Sequence, residues 1–287
     1  MSNLEISRAQ RLDQRVVEQI PTLTRSYAVK LIDDSKVRVN GQIVTKAGYK
    51  MRPDDEVLIE HDEQLFKNIP TIELLVLYED DNCVVIEKPL GLLTHSKGAF
   101  NPEPTVATWL RGRLRSMEGE RAGIVHRLDR ATSGVMICAK TPEAHAWLQK
   151  QFSQRRVKKT YNAVVSGHMT EDEAIIDMPI ERNPKKPQTF RVSVNGKSAI
   201  TQYKVLQTSP RFSLLELKPE TGRTHQLRVH LSHLGHAIVG DSFYAGIPAD
   251  RLYLHAHQLE LTLPDRTRQI FTSRVPAEFA EMLSDRG

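Results

Sequence analysis

The chain has 287 residues, 39% of them hydrophobic, enough for one large or two medium domains with a buried core. Its formal net charge of +5 permits a polyanionic partner without requiring one. No apolar run approaches a membrane span, the first residues lack a signal peptide's basic and apolar regions, and Cys83 and Cys138 sit in apolar runs as buried thiols, so a soluble cytoplasmic protein without a disulfide framework is expected.

Residues 1–60 read as one small unit. Leu12, Val16, Val17 and Ile20 have helical spacing, and Pro21 ends the pattern. A second helix is predicted from Thr24, its cap, to Asp33, with Ala28, Leu31 and Ile32 inward. Asn40-Gly41 between alternating residues 37–39 and 42–44 signals a hairpin, and residues 51–59 add a turn and a strand. Arg25, Lys30, Lys36 and Arg38 lie around the second helix and the hairpin, which fits a solvated charged face. Thr24-Arg25-Ser26-Tyr27 to Val37-Arg38-Val39-Asn40-Gly41 also resembles the small S4-like RNA-binding domain of a small-subunit ribosomal protein and of many RNA-modifying enzymes. That resemblance implies that these four cations contact RNA phosphates and position RNA without reading its sequence. Residues 61–72 are polar and carry Pro70, as a linker would.

A second domain is predicted over 73–287. Residues 74–89 read as strand, Asp-Asn turn, strand, followed by Lys88-Pro89-x-Gly91-Leu92-Leu93-x-His95. Thr105 is placed as the cap of a helix with Val106, Trp109, Leu110, Leu114 and Met117 inward. Gly123 to Lys140 then packs one carboxylate, two arginines and a histidine into a loop before a buried strand at Val135–Ala139. Arg127 and Arg130 flank Asp129 and favour its charged form, although a turn with a surface ion pair uses the same residue types.

His126-Arg127-Leu128-Asp129-x-x-Thr132-Ser133-Gly134 resembles the signature loop of the RluA-type pseudouridine synthases, and the stretch from Lys88 to His95 is similar to another of their patterns. In that family the loop's aspartate, matched by Asp129, is catalytic. Thr141-Pro142-Glu143 starts a helix with Leu148 and Phe152 as core contacts. The run Arg155-Arg156-Val157-Lys158-Lys159 precedes a strand on which Tyr161, Ala163 and Val165 share a face. Charge runs are usually solvated surface, but Arg155, Arg156 and Lys158 beside an aromatic strand residue also suit RNA. Lys159-Thr160-Tyr161-x-Ala163-x-Val165-x-Gly167 resembles a second family motif, which implies that Tyr161 stacks on the target uracil; core packing is the other reading.

Residues 168–200 suggest short strands and an extended basic loop at Lys185-Lys186; residues 202–206 and 211–217 suggest a strand pair. Thr221-Gly222-Arg223-Thr224-His225-Gln226-x-Arg228-x-His230-Leu231 is similar to a third family motif, with Leu227, Leu231 and Leu234 as a helical stripe and Gly235 as its stop. The resemblance implies that Arg223 pairs with Asp129; a phosphate contact is the alternative. It also implies that Arg127 fills the gap left in the RNA stack and that Leu254 lines the uracil pocket, with plain core packing as the other reading of Leu254. The histidines near residue 230 raise a metal site, but no cysteine accompanies them, and helix-surface or hydrogen-bonded histidines fit better. Leu263-Pro264 departs from the family's frequent His-Pro, which touches a local turn and not the chemistry.

The resemblance spans about residues 74–280 and implies an α+β fold, a mixed and largely antiparallel sheet with flanking helices, plus the small S4-like unit. It implies an isomerase that acts on RNA, requires no redox cofactor or metal, and works as a monomer. Its layout is similar to enzymes acting on large-subunit ribosomal RNA, while family members also modify transfer RNA. Two other readings stay open from the residues: a non-catalytic RNA-binding or ribosome-assembly factor, and a glycosylase that releases free uracil.

Overall fold

The computed structural model describes residues 10–21, 23, 25–61, 69–96, 103–117, 119 and 121–284. Contacts divide the chain into two compact units, Met1–Ile72 with His95–Thr108 and Glu73–Thr94 with Trp109–Gly287.

In the first unit, helices α1 (Leu12–Gln19) and α2 (Arg25–Asp33) pack on strands β1 (Val37–Val39), β2 (Gln42–Ile43) and β3 (Val57–Ile59), ordered β2-β1-β3 and antiparallel. Leu12, Val16, Ala28 and Ile32 bury their side chains against Val37 and Val39. The Asn-Gly turn forms as its chemistry demands: Asn40 has φ 50° and Gly41 φ 80°, a left-handed pair that matches strand twist. Thr24, and residues 62–68 of the expected linker, lie outside the described residues.

The second unit is α+β. Its strands are β4 (Leu75–Glu79), β5 (Cys83–Lys88), β6 (Ser133–Ala139), β7 (Lys158–Ser166), β8 (Glu173–Asp177), β9 (Ile180–Arg182), β10 (Phe190–Val192), β11 (Ile200–Thr208), β12 (Phe212–Pro219), β13 (Leu254–Thr262) and β14 (Arg268–Thr272). Nine of them form one sheet, ordered β4-β5-β6-β13-β7-β12-β11-β8, with β14 beside β13; β9 and β10 form a separate hairpin. Among the described strands only β6 and β13 pair in parallel, so the middle of the sheet joins two distant parts of the sequence. Every residue of β6 is buried, as its apolar run predicts. Gly134 permits the β6–β13 approach: its φ is 119°, and a Cβ there would lie 2.2 Å from the Ala256 carbonyl oxygen.

Thr105, which belongs to the first unit, does cap helix α3 (Val106–Leu110), accepting the Thr108 N–H at 3.0 Å. The helix stops at Leu110 and passes into a 3-10 turn at Arg111–Arg113, so Leu114 and Met117 fall beyond it. Gly112, a poor helix former, sits in that turn. Helix α4 (Pro142–Ser153) is capped by Thr141, whose Oγ1 accepts the Ala144 N–H at 3.2 Å. Helices α5 (Gln226–His233) and α6 (Glu278–Ser284) complete the unit. Among the described residues its core includes three apolar clusters: one holds Leu215, Leu217, Leu227 and Leu231, a second Val135, Ile137, Leu148 and Leu261, and a third Ile180, Ala199, Val229 and Tyr244. Cys83 and Cys138 are buried free thiols, and burial pushes the Cys138 pKa up to about 12. Among the described residues no helix is long and apolar enough to cross a membrane.

Candidate active site

Asp129 lies in the loop that enters β6, and the turn after β5 clamps that loop on both sides of it. The Gly91 N–H donates to the Arg130 carbonyl at 2.9 Å. The Thr94 hydroxyl donates to the Leu128 carbonyl at 2.8 Å. The clamping turn is tied by Lys88, which is 0% exposed and donates from Nζ to the carbonyls of Pro89 and Leu92 at 3.0 and 2.9 Å. Burial lowers the Lys88 pKa to about 8, against the attraction of Asp129. The Lys-Pro-x-Gly stretch therefore supports the carboxylate's loop mechanically and electrostatically.

The loop opens onto a cavity of about 900 Å³, lined by Arg127, Asp129, Tyr161, Arg223 and Leu254 among others. Sheet order explains this convergence. β13 lies between β6 and β7, so Leu254 at its start and Tyr161 on β7 stand one and two strands across the sheet from β6, the strand that Asp129's loop enters. Leu254 is buried, Tyr161 half-buried, and the Asp129 side chain 22% exposed. Desolvation first, then the Asp129 charge, pushes the Tyr161 pKa well above the usual phenol value, so the ring lines the cavity as a neutral phenol. His126 stacks on Phe152 with centroids 4.5 Å apart and accepts the Ile137 N–H at Nε2, 3.1 Å. Burial lowers its pKa to about 3, so it packs as a neutral ring.

The guanidinium facing Asp129 differs from the expectation. Arg223 lines the cavity, but its Nε donates to the Ser198 carbonyl at 3.0 Å, and among the described residues it forms no ion pair with Asp129. Its backbone is caught in the turn before α5, where the Arg223 N–H and the Thr221 hydroxyl both donate to Gln226 Oε1 at 3.0 and 2.7 Å. Arg228 faces Asp129 instead, with Nη1 3.7 Å from Oδ2. Asp241 fixes that arginine from behind through two hydrogen bonds of 2.6 and 2.7 Å. Burial opposes the Arg228 charge, but Asp241 and Asp129 outweigh it and raise the pKa. His225 Nε2 lies 3.6 Å from the same Asp129 oxygen. A signal for Arg228 was present in the sequence: it precedes Leu231 by three residues and so shares the inward face of the helix.

A half-buried, clamped carboxylate facing an arginine across an open cavity suits chemistry at a sugar carbon. The sequence comparisons supply the class. The family described as RNA pseudouridylate synthase matches residues 82–233, and the S4 domain family matches residues 10–57. The chain belongs to the RNA pseudouridylate synthase family. Such a synthase is an isomerase. An RNA pseudouridine synthase of Aquifex aeolicus is 38% identical over 85% of this chain and 81% of its own. Ribosomal large subunit pseudouridine synthase D of Escherichia coli is 38% identical over 89% and 83%, and that of Borreliella burgdorferi 36% identical over 96% and 90%. Among solved structures, human RNA pseudouridylate synthase domain containing 1 aligns with a TM-score of 0.60 at 28% identity, covering 70% of this chain and 83% of the other.

Several cations expected on RNA in this synthase already hold carboxylates. Arg25 Nε lies 2.9 Å from the buried Asp13, which Arg11 also contacts. Lys36 and Arg38 both approach Glu60 at 3.6 Å. Lys158 pairs with Glu260 at 3.4 Å. Lys30 is exposed on α2, Arg156 is exposed before β7, and Arg155 lines the cavity. Lys159, not singled out for RNA, lines the cavity too; burial lowers its pKa to about 8. Three of the histidines near residue 230 are taken up by hydrogen bonds, His225 by Tyr244, His230 by Thr201 and the Met178 carbonyl, and His236 by the Ser166 carbonyl, while His233 is exposed on the helix. Among the described residues no group of three or more acidic, histidine or cysteine side chains could hold a metal ion.

Proposed function

We propose that this synthase isomerises uridine in large-subunit ribosomal RNA, with Asp129 as the catalytic carboxylate, in the cytoplasm and as a monomer. The observation that carries the reading is the position of Asp129, recessed in the cavity and facing Arg228 at 3.7 Å. Pseudouridine formation breaks the bond between uracil nitrogen 1 and ribose carbon 1′, turns the base, and bonds carbon 5 to the same carbon. Carbon 5 loses its proton and nitrogen 1 gains one, so product and substrate are isomers. Attack on carbon 1′ and removal of a ribose proton both use an ionised carboxylate, as glycoside hydrolysis does. A stacked uridine cannot reach a recessed carboxylate, so the nucleotide flips out, at a cost of a few kcal/mol. Arg127, exposed at the rim, fills the vacated stack; Tyr161 stacks on the extruded base, a contact worth roughly 1–3 kcal/mol, and Leu254 covers its edge. Arg223 completes the site as a cavity cation for the substrate backbone.

Residues 1–60 act as the S4-like RNA holder, 61–72 as the linker and 73–287 as the catalytic domain. Arg25, Lys30, Lys36 and Arg38 on the holder, and Arg155, Arg156 and Lys158 beside the cavity, contact phosphates. The ribosomal target follows from relatives named as large-subunit synthases that match most of this chain. Pseudouridine mapping in cells with and without the enzyme tests the target: loss of sites in large-subunit ribosomal RNA supports it, and loss confined to transfer RNA rejects it. Asp129→Asn tests the chemistry, with no pseudouridine formed by the purified variant and no free uracil released by the wild type.

A further inference from the structure

His225 opens α5 with φ 57°, in the left-handed region that non-glycine residues seldom occupy. This backbone turns its imidazole back toward Asp129. Three aromatic rings enclose it: Phe190 at 5.7 Å, Phe243 at 6.0 Å and Tyr244 at 5.6 Å between centroids. Nδ1 lies 2.8 Å from the Tyr244 hydroxyl, and Nε2 lies 3.6 Å from Asp129 Oδ2. The Tyr244 oxygen is already an acceptor, because the Phe190 N–H donates to it at 2.9 Å. Its single proton needs an acceptor of its own, and Nδ1 is the one in reach among the described residues. Nδ1 is then the unprotonated nitrogen, which leaves the imidazole proton on Nε2.

We propose that His225 is a positioning residue for Asp129: a neutral imidazole whose tautomer is set by Tyr244, so that Nε2–H donates to the carboxylate. The long distance suits a resting site, since catalytic hydrogen bonds tighten when substrate fills the cavity. A second proton on the ring is disfavoured by burial first, and by Arg228 and Arg127, against the pull of Asp129 and Asp241. Phe190 belongs to β10, so the β9–β10 hairpin, which carries exposed Lys185 and Lys186 between its strands, holds the hydroxyl that sets the tautomer. With the opposite tautomer, a nitrogen lone pair would face the carboxylate and repel its charge.

The inference rests on Asp129 being the catalytic carboxylate, and that reading is tested separately by Asp129→Asn. The test here uses the full chain and RNA isolated from cells lacking the enzyme. Long-range proton–nitrogen spectra of histidine-labelled enzyme should show His225 at pH 7 as the neutral Nε2–H form, assigned as the signal missing from His225→Gln. Tyr244→Phe keeps the ring but removes the proton. It should slow single-turnover conversion at saturating enzyme by about tenfold to a hundredfold, leave RNA affinity within about twofold, and move the acidic limb of the pH–rate profile to higher pH. His225→Gln, with an amide N–H near the Nε2 position, should retain more activity than His225→Leu. An Nδ1–H or doubly protonated His225 at pH 7 would overturn the proposal. So would a Tyr244→Phe enzyme with an unmoved acidic limb and a rate loss matched by lost RNA affinity.

Discussion

Arg228 bridges two carboxylates: two of its nitrogens are bound to Asp241 at 2.6 and 2.7 Å, and a third stands 3.7 Å from Asp129. Asp241 thereby pre-orients the cation that faces the site, and the arginine loses little freedom when substrate arrives. Geometry of this kind belongs to a planar guanidinium with several fixed donors, and a lysine cannot reproduce it.

Arg228→Lys should therefore lower kcat at least about a hundredfold with the fold retained. Arg228→Met leaves Asp241 buried without its partner and should cost about 3–5 kcal/mol of stability by urea unfolding. Arg223→Lys should change kcat by less than about threefold and act on KM, because Arg223 donates to a backbone carbonyl and not to Asp129. Steady-state kinetics of the two lysine variants in parallel check this; a larger kcat loss at position 223 would reverse the assignment.

Gly134→Ala should destabilise the second unit by roughly 2–4 kcal/mol, since it adds a Cβ into the Ala256 backbone and sets a side chain at φ 119°. Urea melts would show it. Activity should fall further than stability, because the β6–β13 contact at Gly134 follows Asp129's loop by only a few residues.

The buried His255 predicts acid sensitivity. Arg251 donates to Ser133, Ser133 to His255 Nδ1, His255 Nε2–H to the Ser273 hydroxyl, and Ser273 to Glu87. Desolvation first, and nearby cations, lower the His255 pKa to about 4 despite hydrogen bonding to Ser273. The unfolded chain binds this proton near pH 6.5 and the folded chain does not, so the contribution is complete above pH 6.5 and is lost as pH falls toward 4. Unfolding free energy should drop by up to about 1.4 kcal/mol per pH unit in that window. His255→Gln should flatten the slope; an unchanged slope would reject the assignment.

Lys159 predicts an alkaline limit on RNA binding. Its pKa of about 8 means the cavity loses this cation as pH rises from 7 to 9. Filter binding of RNA by the Asp129→Asn chain should weaken over that range. Lys159→Arg, which stays charged, should abolish the dependence.

Much of the fold was legible because its signals are local. The Asn40-Gly41 turn, the Pro142 helix start and the unbroken apolar run of β6 each specify their own backbone within a few residues. The third helix ran short of expectation, since Leu114 and Met117 keep the helical period while Gly112 weakens the helix between them and its start.

The sequence by itself determined the motifs, the class of reaction they resemble, and the aspartate proposed as the catalytic carboxylate. Only the tertiary structure decided which cation answers that aspartate. Arg223 and Arg228 stand five residues apart in one motif, and helical spacing turns Arg228 inward without saying which group it meets. Helix α5 turns Arg228 inward onto Asp241, while the preceding turn ties Arg223 to Ser198. The same holds for His225, whose partners Tyr244 and Phe190 come from distant parts of the chain. Ion pairs and tautomers depend on distances of a few ångströms between remote segments, and those distances are fixed by packing of the sheet and its helices, not by spacing along the chain.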